Sequence, residues 1–503
     1  MSELIITNID SVNIHVECDK STAKELSDFF TFKVPGHEYM PAFRNKLWDG
    51  QIKLYNIYKQ TIYKGLYDYV IKFARDRKYK VVEPEPITVR KSIQPEHIQK
   101  FIDEHLKPFA GGESITAHQH QIEAVTHAIN HDRCLLLSPT GSGKSLIIYA
   151  LVRYYLDRIA PDKKILIIVP TTSLVRQMLS DFTEYSSDDK WKAENNCHCV
   201  FAGKDKISKK RVIISTWQSI YKLGTDYFDN FEAVFGDECH LFKSKSLTTL
   251  MTKLLKCPYR IGTTGTLDDS LTHKLVIEGL FGRVQHVTTT KKLMNKDLLS
   301  KLKIDCLLLN YPEKVRLENK RMKYQDEIDW IVTNEDRNKF ITDLAVNLKG
   351  NSLVLFQYVE KHGKPLHEMI KQKAGNDRDV FFVFGGTDVE LREKIRKITE
   401  TKDNAIIVAS YGTFSTGISI RRLHNIIFAS PSKSRIRILQ SIGRQLRKSE
   451  HKDTAKLYDI ADDIHWKSYK NHTLNHFERR VKIYESEGFD YKKISLHIQG
   501  NKK

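Results

Sequence analysis

From about residue 113 the chain falls into short, continuous apolar runs separated by amphipathic stretches. CLLLS precedes KSLIIYALVRYYLDRI, ILIIVP precedes SLVRQMLSDFTEY, and RVIIST and AVFGDE follow. A strand that is apolar at every position is covered on both faces, so this alternation predicts a parallel sheet sandwiched between helices. A second series begins near residue 350: SLVLFQY, KPLHEMIKQK, VFFVFGG, LREKIRKITE, AIIVAS, NIIFAS, a helix over QSIGRQLRK, and AKLYDI. Two consecutive doubly wound α/β units predict a cleft between them. The first 90 residues read differently, as β-rich runs (LIITNI, VNIHVEC) around one helical stretch, TAKELSDFFTF. The expected division is a small α+β domain over 1–90, a proline-bearing linker with a helix in it over 91–112, α/β domains over 113–300 and 301–465, and a basic extension over 466–503.

Charge adds a partner to this outline. Lys and Arg number 81 against 62 Asp and Glu, a net charge of +19, which favours a polyanion such as nucleic acid. From Trp466 onward nine Lys and Arg face four Asp and Glu, interleaved with Tyr, His and Phe. That tail reads either as a nucleic-acid-binding extension or as a solvated helical cap. Seven scattered cysteines suit a reduced intracellular protein, and Cys197-His198-Cys199 lacks the second ligand pair of a zinc site. MSELIITNID has no basic region followed by an apolar core, and no run is long enough to span a bilayer. A cytoplasmic protein with no membrane partner is expected.

The chemistry is concentrated in two places. SPTGSGKS, Ser138–Ser145, lies between an apolar strand and an apolar helix, the setting of a phosphate-binding loop. Gly141 and Gly143 let the backbone from Thr140 through Ser142 curl so that its N–H groups converge on phosphates, at the positive end of the helix dipole. Lys144 supplies a point charge at the β- and γ-phosphates, and the Ser145 hydroxyl can ligate magnesium. Ser138 stands where this loop usually shows glycine. GDECH, Gly236–His240, ends the strand FEAVF, and carboxylates there face the ligand crevice of an open α/β sheet. Asp237 is placed to hold magnesium, directly or through water, and Glu238 to orient and polarise an attacking water. The other reading of an Asp-Glu pair is a surface turn. Farther on, Gln440, Arg444 and Arg447 share one face of a helix, which is either solvated or meant for an anion.

A P-loop, then D-E-x-H, then Q-x-x-G-R-x-x-R at the end of a second α/β unit resembles the superfamily 2 helicases and translocases over roughly residues 115 to 460. The resemblance implies two tandem RecA-like doubly wound parallel-sheet domains, with ATP and magnesium as cofactors. It implies that Gln121, in AHQHQIEAV, reads adenine, although a surface glutamine opening a helix has the same sequence. VPTTSLVRQ and STWQS are similar to strand-contacting motifs, which places Pro170, Thr171, Thr172 and Thr216 on nucleic acid. TTGTL, Thr263–Leu267, resembles the motif that couples hydrolysis to movement. LVLFQYVE and ASYGTFSTGISI add Gln357, Tyr411 and Thr416 as strand contacts, with Thr416 and Gly417 nearest the nucleotide. Gln440, Arg444 and Arg447 then become groups that reach the γ-phosphate. Arg447 is the first choice for the transferring phosphoryl, while Arg444 contacts it or pairs with a carboxylate that positions it.

AFRNKLWDGQIKLYN, Ala42–Asn56, is further similar to the small domain of the recombination helicases of tailed bacteriophages. There Arg44 and Lys46 suit phosphate contact and Trp48 suits stacking, unless Trp48 is simply buried before a glycine turn. The implied activity is ATP-dependent remodelling of branched DNA in recombination, repair and replication: fork and junction unwinding, branch migration and annealing. Single- and double-stranded DNA are the expected partners, with recombination or single-strand-binding proteins beside them, and the chain is expected to act as a monomer. An RNA helicase, a restriction-enzyme motor subunit and a nucleic-acid scaffold with a silent ATPase are the rival readings. The residues after 465 show no metal-binding carboxylate cluster of a nuclease.

Overall fold

A computed structural model describes residues 2–88, 90–267, 271–417, 420, 422–446 and 454–498. The chain divides into two compact units, one running to Ser138 and resuming over Ser142–Thr288, the other comprising Pro139–Gly141 and the residues from Thr289 onward.

The first unit begins with a small four-stranded sheet, β1 (Glu3–Asn8), β2 (Asn13–Glu17), β3 (Thr61–Tyr63) and β4 (Lys80–Val82), in the order β3-β2-β1-β4. Helix α1 (Lys20–Phe29) starts where the Asp19 carboxylate accepts from the backbone N–H groups of Ser21 and Thr22, satisfying donors that the first turn leaves open. With α2 (Tyr67–Asp76) it covers a core that includes Leu4, Ile6, Ile14, Val16, Phe30 and Phe73.

A larger sheet follows. Its elements are α3 (Gln119–His131), β5 (Arg133–Leu137), α4 (Lys144–Leu156), β6 (Lys164–Val169), α5 (Thr172–Tyr185), β7 (Cys197–Val200), β8 (Val212–Thr216), β9 (Phe231–Gly236), β10 (Tyr259–Thr264), α6 (Leu271–Phe281) and β11 (Val284–His286). All its pairings are parallel, in the order β7-β8-β6-β9-β10-β5-β11. In β6, Ile165 and Ile167 join the core under α3, α4 and α5, while Leu166 and Ile168 join the core on the opposite face. That is the two-residue period of a strand buried on both sides.

Two segments are packed more closely than the sequence suggests. The stretch read as a linker with a helix in it carries that helix, Pro95–Lys100, and a π-helical turn, Phe101–Leu106. Ile98, Ile102 and Leu106, spaced four apart on one face, are buried in the core of the large sheet. The small domain is likewise fused to that sheet, because Leu275 and Val276 of α6 complete its core. Gly65 abuts α6 so closely that a Cβ there would sit 2.1 Å from the Glu278 carbonyl oxygen, and Tyr69 donates to the Glu278 carboxylate at 2.8 Å.

The second unit repeats the architecture with β12 (Lys301–Asn310), α7 (Tyr324–Thr333), α8 (Glu335–Asn347), β13 (Ser352–Phe356), α9 (Lys364–Ala374), β14 (Val380–Val383), α10 (Val389–Thr401), β15 (Ile406–Ser410), α11 (Tyr411–Gly417), β16 (Asn425–Phe428), α12 (Arg435–Gln445), β17 (Thr454–Asp463), α13 (His472–Glu487) and β18 (Tyr491–His497). Its seven strands are all parallel, in the order β14-β15-β13-β16-β17-β12-β18. The basic tail is therefore not an appended extension. Strand β18 is the edge of this sheet, in register with β12 from Ile304↔Tyr491 to Asn310↔His497. No helix among the described residues is long and apolar enough to cross a membrane.

A buried ion pair ties α13 to the sheet. Arg480 Nε donates to Asp459 Oδ2 at 2.8 Å, its Nη1 to the Ser432 carbonyl at 2.9 Å, and Tyr484 Oη donates to the same carboxylate oxygen at 2.9 Å. Both charged side chains are essentially inaccessible. Arg480→Met strands the Asp459 carboxylate and is expected to cost about 3–5 kcal/mol. Urea unfolding of the full chain is the measurement, and Arg480→Met combined with Asp459→Leu should recover part of the loss, since the unpaired charge goes with it.

Candidate nucleotide site

The loop after β5 and the turn after β9 bring the two chemical clusters of the first unit to the same, C-terminal ends of its strands. β5 and β9 flank β10, so both clusters surround the end of one strand. Gly141 and Gly143 have φ of +84° and +80°, conformations that residues with a Cβ rarely adopt. At Gly143 there is a second constraint, because a Cβ would lie 2.0 Å from Gln121 Nε2. Ser138 and Ser142 are buried with their hydroxyls 2.6 Å apart, so the serine at the first position of the loop braces the loop from inside. Lys144 Nζ donates to the Ser138 carbonyl at 3.3 Å, and the Ser145 hydroxyl lies 2.9 Å from Tyr185 Oη. Tyr185, the last residue of α5, carried no signal in the sequence that would have marked it.

At the end of β9, Asp237 N donates to the Ile168 carbonyl at 2.9 Å, which anchors the turn to β6. Thr263 of β10 donates to Asp237 Oδ1 at 2.8 Å. Glu238 takes a left-handed φ of +53°, an uncommon conformation for a non-glycine residue and one found at functional sites. Its carboxylate lies 3.3 Å from His240 Nδ1, and that nitrogen is 3.1 Å from Thr264 Oγ1. Threonines 263 and 264 of TTGTL thus touch the two ends of DECH. Burial, then the like charge of Glu238, pushes the Asp237 carboxyl above the usual carboxylate range, while Lys144 and the Thr263 hydrogen bond oppose the shift. Two crowded acids with Lys144 for counter-charge, and the Ser145 hydroxyl of the adjoining loop, are hard oxygen donors of the kind that fits magnesium.

Gln121, the expected adenine reader, is buried against the phosphate loop. It is 5% exposed, its Nε2 donates to the Ser142 carbonyl at 3.1 Å, and its Oε1 accepts from His118 N at 2.8 Å. His118 and Gln121 form a capping box at the start of α3. His120 Nε2 is also 3.0 Å from the Ser142 carbonyl, so α3 and the phosphate loop are linked by side chains.

The expected strand contacts sort into groups. Pro170, Thr171 and Thr172 follow β6, and Thr216 ends the neighbouring β8. Gln218 Nε2 donates to the Pro170 carbonyl at 3.4 Å, so these residues share one rim. Thr171 caps α5, and Thr216 is buried with its hydroxyl 2.8 Å from Ser219 Oγ, leaving Thr172 as the less committed side chain. In the second unit Gln357 is exposed beyond β13, and Arg437 Nη1 donates to its side-chain oxygen. Tyr411 is a correction. At 1% exposure, with its hydroxyl donating to the Ser430 carbonyl at 3.1 Å, it is a core residue and presents no surface to a strand. In the small domain Arg44 and Lys46 are exposed, whereas Trp48 is half-buried and donates to the Gln51 carbonyl at 2.8 Å.

Gln440 and Arg444 are both half-buried on α12, and the Arg444 guanidinium lies 6.0 Å from the centre of the Phe414 ring. Gln445 anchors the end of that helix by donating to the His424 and Lys456 carbonyls at 2.9 and 2.8 Å. Arg447 lies outside the described residues, as do the side-chain surroundings of Thr416 and Gly417.

Comparison with known proteins supplies the lineage. Residues 4–83 match the family described as DNA helicase UvsW, N-terminal, and residues 114–269 match that described as type III restriction enzyme, res subunit. The chain is 34% identical over 499 residues to the ATP-dependent DNA helicase uvsW of Enterobacteria phage T4, covering 96% of this chain and 97% of that one. The crystal structure of T4 UvsW aligns over 99% of this chain and 100% of its own, with 32% identity and a TM-score of 0.52. A fragment of a putative HsdR subunit of a type I restriction enzyme from Vibrio vulnificus YJ016 shares the fold at 14% identity and a TM-score of 0.56, over 80% of this chain and 72% of that one. With full-length similarity to the phage protein and a matching small domain at its start, the chain belongs to the UvsW family of superfamily 2 helicases.

Proposed function

We propose that this protein is an ATP-dependent DNA helicase and translocase that remodels branched DNA in recombination, repair and replication, working in the cytoplasm as a monomer. The observation that carries this reading is the P-loop and the Asp237–Glu238 turn gathered around the end of β10, within a chain similar over its length to a DNA helicase. The loop N–H groups from Thr140 to Gly143 and the Lys144 ammonium bind the ATP phosphates. Ser145 and Asp237 would hold magnesium, whose charge supports the phosphates when bound. Glu238, oriented by its left-handed backbone and its neighbour His240, positions the attacking water and draws off its proton. Thr263 and Thr264 touch the acidic turn from β10, so a change at the γ-phosphate is passed to that strand. Gln440, Arg444 and above all Arg447 are the proposed groups of the second unit that stabilise the transferring phosphoryl. Gln121 supports the loop in the conformation seen and meets adenine only by exchanging its Ser142 hydrogen bond.

Pro170, Thr171, Thr172, Thr216, Gln357 and Thr416 are proposed to follow the DNA backbone, with Arg44 and Lys46 adding phosphate contacts from the small domain. The test is ATP hydrolysis in the presence of single-stranded DNA, duplex, a fork, a four-way junction or RNA. Forks and junctions are expected to stimulate most. Stimulation by RNA alone would make this an RNA helicase, and hydrolysis unaffected by any polymer would remove the motor reading.

A further inference from the structure

The basic tail, having joined the second sheet, leaves a charged face whose role the motifs do not explain. The first residue of α7, Tyr324, the loop after β16 carrying Lys433, and the outer side of α13 line a groove of about 440 Å³. Arg479 and Lys482 of α13 and Lys433 are exposed and, among the described residues, none forms an ion pair. The one acid in the groove, Glu478, is occupied by Lys470. Tyr324 is 43% exposed, and the rings of His472 and His476 meet it edge-on at 5.8 and 5.4 Å.

His476 supplies the independent observation. It is 7% exposed and lines the groove, and its Nδ1 is buried with no hydrogen-bond partner. An orphaned ring nitrogen at that depth is unfavourable unless a ligand completes it. Burial, then the nearby cations, pushes its pKa down to about 4, so at neutral pH it is an uncharged imidazole able to donate one hydrogen bond. The groove also adjoins an expected strand contact, since α7 packs on the turn Val359–Gly363 that follows Gln357.

We infer that this groove binds the sugar–phosphate backbone of a single DNA strand: Lys433, Arg479 and Lys482 take phosphate oxygens, His476 Nδ1 donates to one of them, and the Tyr324 ring stacks on a base. Three flexible cations around an aromatic face are the combination that holds single strands without reading sequence. The inference rests on the DNA-motor reading and extends its track across the second unit.

The test is fluorescence anisotropy of a labelled oligothymidylate with the full chain across a salt series. Replacing Lys433, Arg479 and Lys482 together by alanine should weaken binding at least tenfold. It should also flatten the slope of log K against log salt by about 2, at roughly 0.7 per phosphate contact. Tyr324→Ala should weaken binding about fivefold or more with the slope unchanged. Unchanged affinity and slope in the triple variant, with an unchanged melting temperature, would overturn the inference. So would inorganic tripolyphosphate displacing the oligonucleotide at equal concentration while Tyr324→Ala has no effect, since the site would then serve a free phosphate. If the triple variant melts early, Lys433→Glu alone must reproduce the affinity loss. Wild-type hydrolysis without any DNA response, alongside cation-dependent binding, would sink the motor reading and leave the groove standing.

Discussion

Glu238→Gln is expected to lower the DNA-stimulated ATP hydrolysis rate by about a hundred- to ten-thousandfold while nucleotide binding stays within a few-fold. The substitution keeps the size and hydrogen-bonding reach of the side chain but removes the carboxylate proposed to accept a proton from water. The backbone at this position is already committed to φ +53°, and His240 stands 3.3 Å away, so the amide should occupy the same place. A fluorescent ATP analogue measures binding, and single-turnover phosphate release measures the chemical step. Retained hydrolysis would show that another group positions the water.

Lys144→Ala should act on binding as well as on rate, with a fall in hydrolysis on the order of a hundred- to a thousandfold. Two effects combine. The loop loses its point charge at the phosphates, and Asp237 loses the lysine that opposes its raised pKa. The sign follows from the carboxylate. Asp237 holds its proton to a higher pH than an ordinary aspartate, so removing Lys144 raises that pH further. Residual activity of the variant should therefore peak at a more alkaline pH than that of the wild type, and should ask for more magnesium at neutral pH. Lys144→Arg, which keeps the charge, should restore the profile even where it does not restore the rate. A pH–rate series at several magnesium concentrations checks both expectations.

Much of this site is legible in the chain because phosphate chemistry constrains it tightly. Glycine is demanded at 141 and 143 by positive φ, and DECH must end a strand to face the crevice. What the sequence obscured has physical reasons. Tyr411 sits in a motif that reads as strand-contacting, but only the fold shows its hydroxyl spent on Ser430 inside the core. H-x-x-Q at 118–121 is a capping box as well as a possible adenine reader, and the two roles share one amide. β18, YKKISLH, is half polar because it is an edge, so its pattern resembles a solvated tail and its pairing rests on backbone register. The apolar spacing of Ile98, Ile102 and Leu106 was present in the supposed linker, and it marks a helix face with a core to cover.

The fusion of the small domain to α6 has a mechanical meaning. Gly65 pressed on the Glu278 backbone, and Leu275 and Val276 shared between two cores, leave no slack for the small domain to turn on its own. If Arg44 and Lys46 hold DNA as proposed, tension on it would be delivered to α6, the helix that follows β10, whose Thr263 grips Asp237. The small domain is in that sense a loaded handle, and a pull on it would be felt at the Asp237–Glu238 turn.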